Sequence, residues 1–196
     1  MTERSGLLSN TLRNMPNLLT IGRICLAPLL VSALVDRRFK LTFVLFVVAG
    51  LTDALDGTLA RLLKQRTMLG QYLDPVADKL LLSTLFLVLT HMDLIPARIT
   101  VLVFGRDLGI LLVAALLYAA VGRREFKPSI FGKLNTVAQV TAVAAVLLFQ
   151  IDAGRWVAWM QTAALRSTVV LTTISGLHYA WLVTRRGQAT SPASPA

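Results

Sequence analysis

The chain alternates between long apolar runs and short polar segments. Each run is close to the ~20 residues that a helix needs to cross the ~30 Å of hydrocarbon in a bilayer. Lipid offers no partner for an open strand edge, so helices are the only interpretation for runs of this length. The pattern predicts an all-α membrane protein with six transmembrane helices at about 17–36, 40–63, 70–91, 97–120, 130–151 and 160–184.

The two ends of the chain differ from this membrane domain, which we place at residues 17–186. Residues 1–16 form a leader whose apolar residues are spaced as in a short interfacial helix, with a disordered leader as the alternative. Residues 187–196 read GQATSPASPA, a low-complexity composition that predicts a disordered tail.

Composition agrees with the membrane interpretation. The chain is 55% hydrophobic and 15% charged, whereas a soluble domain has about 25% charged residues. These values exclude a large soluble core.

The net charge of +10 is distributed unevenly when the loops are assigned alternately to the two sides of the membrane. One side carries eleven basic residues: Arg4, Arg13, Arg61, Lys64, Arg66, Arg123, Arg124, Lys127, Lys133, Arg185 and Arg186. The other side carries five: Arg37, Arg38, Lys40, Arg98 and Arg155. The positive-inside rule predicts that both termini and the loops after spans two and four lie in the cytoplasm. The short leader favours the plasma or inner membrane as the location. The basic excess attracts anionic lipid headgroups, and nucleic acid is not an expected partner.

Half of the ten acidic residues fall inside predicted spans: Asp53, Asp56, Asp74, Asp78 and Asp107. An ionised Asp near the bilayer centre costs roughly 2.5–3.5 kcal/mol. Such a cost, repeated four times over a short segment, is not explained by a structural role alone. These carboxylates are therefore expected to face a polar cavity and to have positive partners.

Helical spacing brings the carboxylates together. At about 100° per residue, five residues share one face of the second span: Asp53, Asp56, Gly57, Ala60 and Arg61. On the third span, three residues follow at intervals of four: Gly70, Asp74 and Asp78. A short loop makes the two helices antiparallel neighbours, so the carboxylate faces are predicted to meet near the cytoplasmic surface.

Four carboxylates in one place cannot all stay ionised without cations. Arg61 and Lys79 supply part of that charge. An all-oxygen cluster is what hard divalent cations select, so we expect Mg²⁺ or Mn²⁺, with Ca²⁺ as a third candidate. Two ions sharing four carboxylates suit phosphoryl chemistry, because they neutralise a diphosphate and stabilise the departing oxygen. The alternatives are a proton relay or ion site in a transporter, and close helix packing at the small residues.

The pattern Asp53-x2-Asp56-Gly57-x2-Ala60-Arg61-x8-Gly70-x3-Asp74-x3-Asp78 resembles, position for position, the signature of the CDP-alcohol phosphatidyltransferase family. The resemblance extends from Asn17 to about Arg186. It implies a homodimer of six-helix subunits in the lipid bilayer, with an active site that opens to the cytoplasm. The activity implied is transfer of a phosphatidyl group from CDP-diacylglycerol to an alcohol, with release of CMP.

The same resemblance assigns roles to individual residues. It implies that Asp53, Asp56 and Asp74 bind two metal ions, and that Asp78 both binds metal and acts as the general base. It implies a CDP pocket lined by Asn17, Thr20, Asp56, Gly57, Ala60, Arg61 and Gly70.

Three further segments concern the acceptor. Pro16-Asn17-x2-Thr20-x2-Arg23 resembles a segment shared by the phosphatidylglycerophosphate synthase and cardiolipin synthase branches, whereas Arg106-Asp107 and Gly132-Lys133-Leu134-Asn135-Thr136-x2-Gln139 look more like the latter. We predict phosphatidylglycerol as the acceptor and cardiolipin as the product, with glycerol 3-phosphate as the alternative acceptor. The candidate acceptor ligands are Arg23, Arg106, Lys133 and Asn135. Snorkelling to the headgroups would equally explain Arg23, and a mutually neutralising ion pair would explain Arg106.

Overall fold

The computed structural model describes residues 25–62, 68–121 and 130–188, and within them the side chains of residues 25–52, 79–112 and 130–179. The described chain forms six α-helices and no strand: α1 (Cys25–Val35), α2 (Phe39–Leu62), α3 (Met68–His91), α4 (Ala97–Val121), α5 (Ile130–Ile151) and α6 (Arg155–Gln188). The all-α class is confirmed. The helix α6 begins at residue 155 rather than about 160, and ends at 188 rather than about 184. The predicted leader, together with Asn17, Thr20 and Arg23, lies outside the described residues.

One helix of the described chain, α5, is long and apolar enough to cross a membrane by length and composition. Shorter apolar helical stretches occur at Cys25–Val35, Phe39–Thr52 and Lys79–His91. Large apolar side chains are exposed on all six helices, including Leu29, Val44, Leu87, Val101, Val137 and Val170. An apolar surface of this extent is what a lipid-facing or partner-facing helix bundle presents.

The apolar core that the described side chains form lies in one half of the bundle. It is formed by Leu30, Leu34, Phe46, Ala49, Leu81, Leu85, Phe86, Leu89, Ile95, Ile99, Val103, Val143, Val146 and Leu147. This half contains the turns that join α1 to α2, α3 to α4 and α5 to α6. Helix α5 is central, since it packs against α2, α3 and α6, while α4 packs against α3 and α6. The predicted aspartates lie in the other half of the bundle, on the same helices α2 and α3.

Two turns in the packed half end their helices in the same way. The amides of Arg37 and Arg38 donate to the carbonyl oxygens of Leu34 and Ala33, both at 2.9 Å, and Arg37 has a φ of 59°. This pair of bonds with a left-handed residue is the Schellman arrangement, in which glycine is the usual residue. The same arrangement ends α3, where Asp93 has a φ of 59°.

Candidate active site

The signature residues lie on two consecutive helices. Asp53, Asp56, Gly57, Ala60 and Arg61 fall in the second half of α2, and Gly70, Asp74 and Asp78 fall in the first half of α3. Both segments are continuous helical backbone. In a helix, the spacing of these residues places each set on one side. The side chains of these residues lie outside the described part of the chain, so the metal-ligand set remains a prediction.

The described side chains begin at Lys79, one residue after Asp78, and lead directly to an ion-pair network. The Lys79 ammonium lies 3.9 Å from Asp107 Oδ1 on α4. Asp107 Oδ1 also accepts a hydrogen bond of 2.6 Å from Arg106 Nη1. The side chains of Arg106 and Asp107 are only 8% and 17% exposed, whereas Lys79 is 45% exposed. The ion pair expected for Arg106 and Asp107 is present, and Lys79 joins it from α3.

The Arg106 guanidinium is enclosed by α5 and α6. Its Nη2 donates a hydrogen bond of 2.6 Å to the hydroxyl of Ser175, which is fully buried. The guanidinium carbon lies 5.9 Å from the centre of the Tyr179 ring, which is within cation–π range. A Cβ placed on Gly132 would lie 3.4 Å from Nη2, and one on Gly176 would lie 3.8 Å from the Arg106 Cγ. Both glycines therefore allow the two helices to approach this side chain closely.

A small cavity of about 40 Å³, with a mixed apolar and polar lining, opens beside this network, between α3, α4 and α5. It is lined by Lys79, Leu82, Ser83, Phe86, Val103, Arg106, Asp107, Thr136 and Gln139. Gln139 is 5% exposed, and its Nε2 has no hydrogen-bond partner among the described residues. The same is true of Arg106 Nε. The cavity wall thus carries unused donors next to the helix that bears Asp78.

Of the predicted acceptor ligands whose side chains are described, only Arg106 lines this cavity. Asn135 is fully buried, and its Oδ1 accepts a hydrogen bond of 2.7 Å from Thr172 on α6. Lys133 is exposed to the surroundings of α5. Thr136 and Gln139 were not predicted as ligands. They lie three residues apart on α5, a spacing that puts them on one face of the helix and was available in the sequence.

Comparison with known proteins identifies the class. The family model described as CDP-alcohol phosphatidyltransferase matches residues 13–174. The chain therefore belongs to this family of enzymes, as the aspartate signature indicated.

The relatives fall into two branches. Human "Cardiolipin synthase (CMP-forming)" is 38% identical over 150 residues, which are 67% of this chain and 49% of the human protein, so the chain spans about half of that relative's length. The "CDP-diacylglycerol--glycerol-3-phosphate 3-phosphatidyltransferase" of Bacillus subtilis is 31% identical over 182 residues, covering 85% of this chain and 93% of the relative. A "Probable phosphatidylglycerophosphate synthase" of Mycobacterium tuberculosis is 30% identical over 172 residues, covering 85% and 79%.

The ion-pair network predicts an order of stabilities. Asp107→Asn removes the carboxylate that compensates a buried guanidinium, and we expect a loss on the order of 3 kcal/mol. Lys79→Gln removes an exposed cation 3.9 Å from the same oxygen, and we expect a loss of less than about 1 kcal/mol. The measurement is the free energy of unfolding, or the unfolding midpoint, of each purified variant in detergent micelles. Equal losses in the two variants would show that Asp107 is not the main counterion of Arg106.

Proposed function

We propose that the chain is a divalent-metal-dependent enzyme that transfers the phosphatidyl group of CDP-diacylglycerol to phosphatidylglycerol, with cardiolipin and CMP as products. The observation that carries this proposal is the complete aspartate signature on consecutive helices α2 and α3, within a family match over residues 13–174. The relatives that share the family act, by their names, on either of the two acceptors considered.

The residues present fit a site for Mg²⁺ or Mn²⁺. Asp53, Asp56, Asp74 and Asp78 offer only oxygen ligands, and two helices of regular backbone can present them together. Two bound ions would supply the positive charge that the diphosphate and the departing CMP require. The CDP pocket would be formed by Asn17, Thr20, Asp56, Gly57, Ala60, Arg61 and Gly70.

The protein side chains account for the remaining steps of the transfer. Arg61 makes a charge-assisted contact to the diphosphate. Asp78 accepts the proton of the acceptor hydroxyl, and the hydroxyl oxygen attacks the phosphorus that carries diacylglycerol. A new P–O bond forms as the bond to CMP breaks, and CMP leaves with the electron pair.

The charge near Arg106 favours a singly charged acceptor. Lys79 and Arg106 supply two positive charges, and Asp107 removes one. The remaining single charge matches the phosphodiester of phosphatidylglycerol better than the dianion of glycerol 3-phosphate. Arg23, Lys133 and Asn135 stay candidates for further acceptor contacts, and the Bacillus subtilis relative is the reason to keep glycerol 3-phosphate as the second acceptor.

The proposed setting is the plasma or inner membrane, with six spans per subunit, a homodimer, and the termini and active site on the cytoplasmic side. The exposed apolar surface and the distribution of basic residues support it. In a Cys25→Ser background, a cysteine introduced at Arg37 or Arg155 should react with a membrane-impermeant reagent outside intact cells. A cysteine at Lys64 or Arg124 should not, and external labelling at Lys64 would invert the proposed orientation.

The metal site predicts a specific loss of activity. Asp53→Asn, Asp74→Asn and Asp78→Asn should each reduce CMP release by a factor of ~10³ or more, because an amide cannot supply the charge that the ions need. The matched control is Asp93→Asn, which changes an exposed Asp in the turn after α3 and should keep activity near that of the unmodified enzyme. EDTA should abolish turnover, and Mg²⁺ or Mn²⁺ should restore it. Normal turnover in EDTA would contradict the metal-dependent mechanism.

The acceptor is tested with purified enzyme, labelled CDP-diacylglycerol and separate acceptors, with the lipid products identified by mass. Phosphatidylglycerol should support CMP release and yield cardiolipin. If glycerol 3-phosphate alone supports CMP release, the enzyme is a phosphatidylglycerophosphate synthase and the family mechanism stands. If no alcohol supports CMP release, the proposed activity is wrong, and a transporter using the aspartates becomes the next hypothesis.

A further inference from the structure

Two buried nitrogen donors border the cavity between α3, α4 and α5. They are Arg106 Nε and Gln139 Nε2, and neither has a hydrogen-bond partner among the described residues. Leaving such a donor without a partner is costly, so buried donors of this kind are normally satisfied by water or by a ligand. The cavity of about 40 Å³ exceeds the ~10–15 Å³ that one water molecule needs. It has room for a small polar group.

The chemistry of the cavity wall defines that group. Its nitrogen atoms belong to an ammonium, a guanidinium and an amide, on Lys79, Arg106 and Gln139. The one carboxylate among the described wall residues, Asp107, is already engaged by the two cations. Among the described wall residues, the unused capacity consists of donors, and the charges sum to one positive. An anionic oxygen acceptor with a single charge fits both properties.

The position of the cavity connects it with the reaction. Lys79 follows Asp78 directly in α3, so their Cα atoms are about 3.8 Å apart. The cavity therefore borders the turn of α3 that carries the proposed general base, and the proposal places the hydroxyl groups of an acceptor bound there within reach of Asp78. A phosphodiester lipid with a glycerol headgroup has its free hydroxyls only a few bonds from the phosphorus.

We propose that Gln139 and Arg106 bind a non-bridging oxygen of the acceptor phosphate, and that Gln139 selects an acceptor with a singly charged phosphodiester. This inference rests on the proposed function. The amide supplies a donor without adding charge, so the site keeps a single net positive charge. A cation at position 139 would raise that charge to two and favour a phosphate monoester dianion instead.

The test compares four Gln139 variants with the unmodified enzyme: Gln139→Leu, Gln139→Ala, Gln139→Glu and Gln139→Lys. The matched control is Gln150→Leu, on the same helix near its opposite end. KM is measured for phosphatidylglycerol in mixed micelles, for glycerol 3-phosphate and for CDP-diacylglycerol, and the unfolding midpoint is recorded for every variant. Binding of phosphatidylglycerol, with phosphatidylcholine as the competitor, is measured without CDP-diacylglycerol as a readout independent of turnover.

We expect Gln139→Leu to raise the KM for phosphatidylglycerol about tenfold, because it removes one hydrogen bond to a charged group. Gln139→Glu should raise it further, since it cancels the positive charge of the site, yet its unfolding midpoint should equal or exceed that of the unmodified enzyme because the new carboxylate faces Arg106. Gln139→Lys should shift the ratio of kcat/KM towards glycerol 3-phosphate. The KM for CDP-diacylglycerol should change less than about twofold in all variants, and Gln150→Leu should change none of these values.

If Gln139 has only a structural role, a loss of acceptor affinity in Gln139→Glu should be accompanied by a lower unfolding midpoint. If acceptor affinity falls only in variants whose unfolding midpoint also falls, or if both substrates lose affinity equally, the inference is overturned. If no acceptor supports CMP release but phosphatidylglycerol still binds and Gln139→Glu abolishes that binding, the proposed function fails while the subsite stands. Unchanged phosphatidylglycerol binding in Gln139→Glu and Gln139→Leu would contradict the proposed subsite and leave the proposed function standing.

Discussion

The arrangement of α4, α5 and α6 depends on compensating the buried guanidinium of Arg106. Arg106 and Asp107 are the only charged residues in the described part of the chain that are not exposed. An unpaired ion at such a site costs several kcal/mol, so each neighbouring helix must offer either a partner or space. Asp107 supplies charge, Ser175 supplies a hydroxyl, and Gly132 leaves room for the guanidinium edge. Losing the Asp107 carboxylate or the Ser175 hydroxyl would leave part of the guanidinium without its partner.

The described apolar core holds the two helices that carry the aspartate signature. Apolar side chains such as Phe46 and Leu85 pack one half, where burial contributes roughly 25 cal/mol per Å² of apolar surface. The helices α2 and α3 continue from that half into the aspartate signature. A helix is stiff over this distance, so packing at Phe46 and Leu85 also fixes the rotation of α2 and α3 around their axes.

The sequence predicted the helices because length and hydropathy are properties of a single segment. It also predicted the Arg106 to Asp107 pair, since adjacent residues need no fold to meet. It could not predict Ser175 as a partner of Arg106, because the two residues are separated by 69 positions. The residues around a serine do not indicate which distant side chain it contacts. The motif resemblance led to Asn135, whose Oδ1 accepts a hydrogen bond from Thr172 on α6. It did not indicate that Gln139, four residues further along α5, borders the cavity. The start of α6 was missed because polar and aromatic residues near Arg155 continue the helix without being apolar.

The two left-handed turns at Arg37 and Asp93 have a consequence for how deeply the protein sits in a bilayer. A side chain in this backbone conformation costs roughly 1–2 kcal/mol, which glycine would avoid. Moving a charged side chain into hydrocarbon costs more, roughly 2.5–3.5 kcal/mol. A turn with glycine at this position would have no charged side chain to oppose its entry into hydrocarbon. Arg37 and Asp93 oppose it at two separate points of the same end of the bundle. In the proposed membrane setting, these two charged turns would keep their end of the bundle at the water interface.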